Sequence, residues 1–270
     1  MDLKFSCREH MVPGDTIAER FENAADIGLD GIEIVNSSDM EHLEEIKQAI
    51  EDTGVRASQM SAKNLFCLDA RPEQRAASVE SMKEALTLCE ATGAIGFIFP
   101  PLIAVKMRDG ERIPNLSPFM NTAQLERKLL AAILSEVADV AQDKGAHVVI
   151  EPLNRYEQWW PCSLQDGVDI CEDVGKQGIG MMADFFHMNI EDADFGESIR
   201  LAGNRIKNVH LADSQRLMPG YGHTDFKPGF AALKEIGYEH YLAFECGIPG
   251  DPCEEFPKAM DYIREEWEKA

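Results

Sequence analysis

The chain is 270 residues long and 44% hydrophobic, enough to bury a substantial core as one large domain or two ordinary ones. Its 48 acidic against 26 basic residues give a formal net charge of −22, which repels nucleic acid and anionic membranes and argues against either as a partner. No window approaches a membrane-spanning length, MDLKFSCREH carries no apolar segment behind a basic start, and the seven scattered cysteines form no C-x-x-C pair. A soluble cytoplasmic protein with reduced thiols is expected.

In chain order, strand-like runs alternate with helix-like runs from end to end. The strands are predicted at 3–8 (LKFSCR), 31–35 (GIEIV), 56–61 (RASQMS), 93–101 (GAIGFIFPP), 147–153 (HVVIEPL), 178–186 (GIGMMADFF), 206–213 (IKNVHLAD) and 241–247 (YLAFECG). Between the second and third, Ser38 is placed to cap a helix running through Met40, Leu43, Ile46 and Ile50 to Gly54. After the fourth, residues 101–121 form a long segment rich in proline and charge, expected to cover the catalytic mouth as a lid. Leu125, Leu129, Ile133, Val137, Val140 and Ala141 then recur at helical steps until Gly145. Asp251-Pro252 opens the last helix. Strands that are apolar on both faces require a parallel sheet, and eight β–α repeats without a linker predict one α/β domain over 1–270, a (β/α)8 TIM barrel.

Four metal-ligating side chains sit at the C-terminal ends of the last four strands: Glu151 after VVI, Asp184 after GMMA, His210 after IKNV and Glu245 after YLAF. The separations of 33, 26 and 35 residues each fit one strand, one helix and two loops, so the four converge only at one end of a parallel sheet. That end is where α/β folds carry their chemistry. Each residue alone reads equally as a helix cap or a solvated charge; four in phase read as a mononuclear metal site. Three carboxylates and an imidazole suit a divalent ion, manganese foremost, with magnesium or cobalt as alternatives, better than a structural zinc. Such a site serves Lewis-acid catalysis on an oxygen-rich substrate.

EPLNRYE at 151–157, DFFHMNIED at 184–192, VHLADSQR at 209–216, GYGHTDF at 220–226 and AFECG at 243–247 resemble the ketose 3-epimerases, within the larger group of xylose-isomerase-like barrels. The resemblance implies that Glu151, Asp184, His210 and Glu245 hold the metal and that Glu157, His187 and Arg216 hold a small sugar. Chemistry then supplies a reaction: Glu151 and Glu245, on opposite sides of the sugar, remove a proton from one face of C3 and return one to the other through an enediolate. A homo-oligomer, dimer or tetramer, is expected.

Other readings stay open on the same metal site: an aldose–ketose or hydroxypyruvate-type isomerase, an inosose-type dehydratase, or a non-catalytic sugar-binding module. An endonuclease is disfavoured by the charge and by the lack of an Asp-Arg-His triplet at 216–226. Trp159 and Trp160 are read as a wall of the pocket or as packing against a neighbouring subunit, and His223 and Asp225 as loop-shaping residues. Glu191, Asp192, Asp194 and the acidic runs near the C-terminus are read as solvated helix faces.

Overall fold

The computed structural model describes residues 3–270. Eight parallel strands close into a barrel in sequence order: β1 (Lys4–Arg8), β2 (Gly31–Ile34), β3 (Arg56–Ser61), β4 (Gly96–Phe99), β5 (His147–Ile150), β6 (Ile179–Asp184), β7 (Ile206–Leu211) and β8 (Tyr241–Phe244), with β8 pairing back onto β1. All eight predicted strands are present; β3 has the predicted bounds, the others are shorter at one or both ends, and the last two residues of the predicted sixth strand, Phe185 and Phe186, begin the helix that follows it. The helices are α1 (Ile17–Ile27), α2 (Leu43–Thr53), α3 (Pro72–Thr92), α4 (Ile103–Met107), α5 (Thr122–Asp143), α6 (Leu164–Val174), α7 (Phe185–Glu191), α8 (Phe195–Ala202), α9 (Lys227–Glu235) and α10 (Pro252–Lys269).

Local sequence explains their limits. Capping boxes start α1 (Thr16 with Glu19), α5 (Asn121 with Gln124) and α6 (Ser163 with Asp166), each satisfying backbone N–H groups that the first helical turn leaves free. The predicted Ser38 cap is not made. Ser38 instead donates to the Ser61 carbonyl at 2.5 Å, Asp39 takes the His42 N–H at 3.1 Å, and α2 begins only at Leu43, leaving Met40 exposed. A side chain that can tie two strand ends together is not free to cap.

The 101–121 segment contains α4 and is then pinned to the loop after β3. Asp69, fully buried, accepts from the Arg71 guanidinium at 2.7 and 2.8 Å and from the Glu111 N–H at 2.8 Å, while the Ala70 N–H donates to the Glu111 carbonyl at 2.7 Å. The Arg71 hydrogen bonds, outweighing burial, and the N–H groups of Arg71 and Glu111 hold the Asp69 carboxyl down at about 2. Because folding lowers this pKa, its contribution is complete above the unfolded value of about 3.9 and is lost as pH falls through about 2. Asp69→Asn is expected to reduce unfolding free energy near neutral pH by about 1.5–3 kcal/mol and to flatten stability between about pH 4 and 2. Urea unfolding across that range checks it; a variant as stable as the parent, with the same acid limb, contradicts it.

Candidate active site

Glu151 and Glu245 each stand one residue past a strand, Asp184 closes β6, and His210 lies one residue before the end of β7. The strand register makes Asp184 and His210 direct neighbours. The Glu151 N–H continues the ladder to the Phe99 carbonyl at 2.9 Å, and the Glu245 N–H to Leu211 at 3.3 Å. Side chains two apart on a strand share a face, so Val149 lies beneath Glu151 and Met182 beneath Asp184. With Ile98 they form a small apolar cluster apart from the main core. Under Glu151 and Asp184 the site therefore rests on a hydrophobic floor.

One ligand atom from each of Glu151, Asp184, His210 and Glu245 lies within 4.8 Å of all the others. His210 Nδ1 is 2.9 Å from Glu245 Oε2, 3.4 Å from Asp184 Oδ2 and 3.7 Å from Glu151 Oε1. That nitrogen is buried and makes no hydrogen bond, whereas Nε2 faces Glu33 at 3.0 Å. A buried imidazole nitrogen without a partner, turned toward three carboxylates, fits a divalent cation well.

Cations and protons balance the carboxylates. Arg216 Nη1 reaches both oxygens of Asp184 at 2.9 and 2.8 Å, and its Nη2 contacts Glu245; Arg8 Nε lies 3.2 Å from Glu245 Oε1. Burial and the Glu245 charge push Glu151 up to about 8, so it holds a proton at neutral pH. Against burial, His210, Arg8 and Arg216 keep Glu245 well below the usual carboxylate range. Glu33 and Glu245 raise His210 in spite of its burial. In the metal-free site Glu151 is thus protonated while Asp184 and Glu245 are ionised.

The three residues expected to hold substrate are drawn to the same place. Glu151, Glu157, His187, Arg216 and Glu245 line one cavity of about 480 Å³. His187 Nδ1 accepts the Asn154 N–H at 3.2 Å, which leaves Nε2 as a donor, and Asn154 Nδ2 also holds Glu157 at 2.7 Å. Burial pulls the pKa of His187 down, favouring the neutral ring. Arg216 sits in the left-handed region (φ 60°), a position costing about 1 kcal/mol or more for a non-glycine residue, with its guanidinium over the Phe186 ring at 4.7 Å. From the wall of the cavity it grips the carboxylates of Asp184 and Glu245.

Several readings need correction. Neither Trp159 nor Trp160 lines the cavity; the Trp159 ring packs under the Arg112 guanidinium, 4.0 Å away, and Trp160 packs against the main core. His223 and Asp225 are exposed and hydrogen-bond within their loop, His223 N–H to Ser214 Oγ and Lys227 N–H to Asp225 Oδ1, each at 3.3 Å, beside Asp213, whose carboxylate collects the N–H groups of Ser214, Gly220 and Thr224 at 2.7–2.9 Å. Glu191 is not a solvated charge but grips Arg155 through two bonds of 2.8 Å. Asp192 is partly buried, Asp194 caps α8, and Glu255 and Glu266 are buried at α10.

Sequence reasoning also missed Arg8, Glu33, Asn154 and, on the far wall of the cavity, Lys63 and Leu65; Ile103, Ala104 and Arg108 beside them belong to the 101–121 segment expected to cover the mouth. For Glu33 a signal existed: a lone carboxylate within GIEIV, where a buried strand has no place for an unpaired charge.

Comparison with known proteins gives the same picture. A family model described as the xylose isomerase-like TIM barrel matches residues 21–266. The chain is 27% identical to the 3-dehydro-D-guloside 4-epimerase of Escherichia coli over 93% of its own length and 95% of that protein. It is 39% identical to the D-psicose 3-epimerase of Agrobacterium fabrum over a shorter stretch, 42% of this chain and 39% of that one. Among solved structures, the apo 3-keto-D-glucoside 4-epimerase of E. coli superposes with a TM-score of 0.86 at 25% identity, covering 98% of this chain and 100% of that one. No described helix is long and apolar enough to cross a membrane.

Proposed function

The chain belongs to the xylose isomerase-like TIM barrel family, and from that premise we propose that it is a metal-dependent sugar epimerase inverting the carbon next to a ketone, C3 of a ketose. It is an isomerase acting on carbohydrates. The observation that carries the reading is the convergence of Glu151, Asp184, His210 and Glu245 at the mouth of the barrel beside a sugar-sized cavity.

Those four residues would hold the ion, manganese in this reading with magnesium or cobalt as substitutes, which would supply Lewis-acid stabilisation of negative charge on a carbonyl oxygen. The remaining work belongs to the chain. Glu245 and Glu151, on opposite sides of the sugar, take the carbon-bound proton from one face and return one to the other, and exchange with solvent restores both carboxyls between turnovers. His187 Nε2 and Arg216 donate to sugar oxygens, and Glu157, steadied by Asn154, accepts from hydroxyls. Ile103 and Ala104 of α4, tethered through Asp69, roof the sugar and keep water from the reacting carbon.

A second reading shares every step except the position of the ketone: inversion at C4 of a 3-keto sugar. The long alignment with the E. coli 4-epimerase favours it, because the 3-epimerase relative is matched over less than half of this chain. Product analysis by NMR on a panel of free ketoses and 3-keto glycosides decides between them. Epimers of ketoses at C3 support the first reading and epimers of 3-keto glycosides at C4 the second; no epimer from either class contradicts both.

A further inference from the structure

Beneath the ligands lies a buried carboxylate that the reaction above does not use. Glu33, on β2, is 1% exposed. It faces His210 Nε2 with both oxygens, at 3.0 and 3.1 Å, and accepts from Asn208 Nδ2 at 2.6 Å. Arg8 is its register partner on β1, with Nη1 3.4 Å from Glu33 Oε2, and the same guanidinium lies 3.2 Å from Glu245 Oε1. Strand alternation places Asn208 two residues before His210 on the same face, so the floor of the site presents to Glu33 a ring nitrogen and an amide from one strand.

A buried carboxylate survives only where donors satisfy it, and Glu33 has three, two of them leading directly to ligands of the proposed ion. We propose that Glu33 and Arg8 are a positioning pair: Glu33 holds the proton of His210 on Nε2, so that the Nδ1 lone pair points at Glu151, Asp184 and Glu245, while Arg8 fixes the angle at which Glu245 enters. This rests on the metal-site reading above and adds to it the residues that orient the ligands. With a neutral His210 the two nitrogens are alternatives, and a proton on Nδ1 would close the position the ion needs. Hydrogen-bonded carboxylates behind ligating imidazoles generally matter about 10–100-fold in metal affinity.

The test has two parts. Long-range 1H–15N NMR of the magnesium-loaded wild-type protein is expected to show the His210 proton on Nε2 and a lone pair on Nδ1, and needs no variant to fold. Manganese titration of metal-free Glu33→Gln, followed by calorimetry and by the rise in melting temperature, is expected to give affinity lower by about 10–100-fold, with a smaller loss in Asn208→Ala, which leaves the Glu33–His210 contact in place. If wild type binds manganese while Glu33→Gln binds equally tightly, or if the proton sits on Nδ1, the positioning role is overturned and the metal site stands. If wild type binds no metal at all, the underlying reading fails instead.

Discussion

Glu245→Gln is expected to lower kcat by at least about 10³-fold, and Glu151→Gln by a similar factor, with the fold intact by circular dichroism. The amide keeps the size of each side chain but cannot take up a proton from carbon or hold one at neutral pH. Each replacement also removes a ligand carboxyl, so part of the loss appears as weaker ion binding, and assays at saturating manganese separate the two effects. Before a cation enters, Glu245 is stripped of its proton by His210, Arg8 and Arg216 despite burial, and Glu151 retains one because of burial and the Glu245 charge. A glutamine at either position that leaves kcat within about tenfold of the parent rules out the two-carboxylate scheme.

The second large effect is expected on metal removal. Exhaustive chelation should abolish epimerisation, manganese should restore it, and the melting temperature of the metal-free protein should fall. An ion present at about 100 times its dissociation constant adds about 2.7 kcal/mol to the folded state, about 5–10 °C for a chain of this size. Three carboxylates within 4.8 Å of one another repel, and in this structure Arg216 and the proton on Glu151 relieve that repulsion. A cation does so more completely, and it satisfies the lone nitrogen of His210. Differential scanning calorimetry with and without chelator checks this; unchanged activity and melting temperature would mean that the four residues do not form a metal site.

The features legible in the sequence are those written locally. Glu151, Asp184, His210 and Glu245 each end an apolar run of their own, and the β–α rhythm sets those ends side by side. Glu157 came instead from the family resemblance that EPLNRYE carries. Glu33 escaped because its meaning lies in Asn208 and His210, 175 and 177 residues away, and no period links those positions before the barrel closes. Arg8 reads as an ordinary charge at a strand end until β8 pairs with β1 and brings Glu245 beside it. Ser38 failed as a cap for a related reason, since a competing partner across strands, Ser61, outbid the local helix. The acidic residues at 191–194 looked solvated because composition cannot reveal that Arg155 folds back onto Glu191.

Exchange with solvent measures the central claim most directly: proton transfer at the carbon next to a ketone, between two faces of a sugar. In deuterated water, with manganese and without any nicotinamide, the substrate identified from the panel should yield an epimer carrying one deuterium at the inverted carbon, by NMR and mass spectrometry. Glu245→Gln should nearly abolish that incorporation. Label confined to C1 or C2, with an aldose as product, would identify an aldose–ketose isomerase, and loss of water without an epimer would identify a dehydratase; either result contradicts the epimerase assignment.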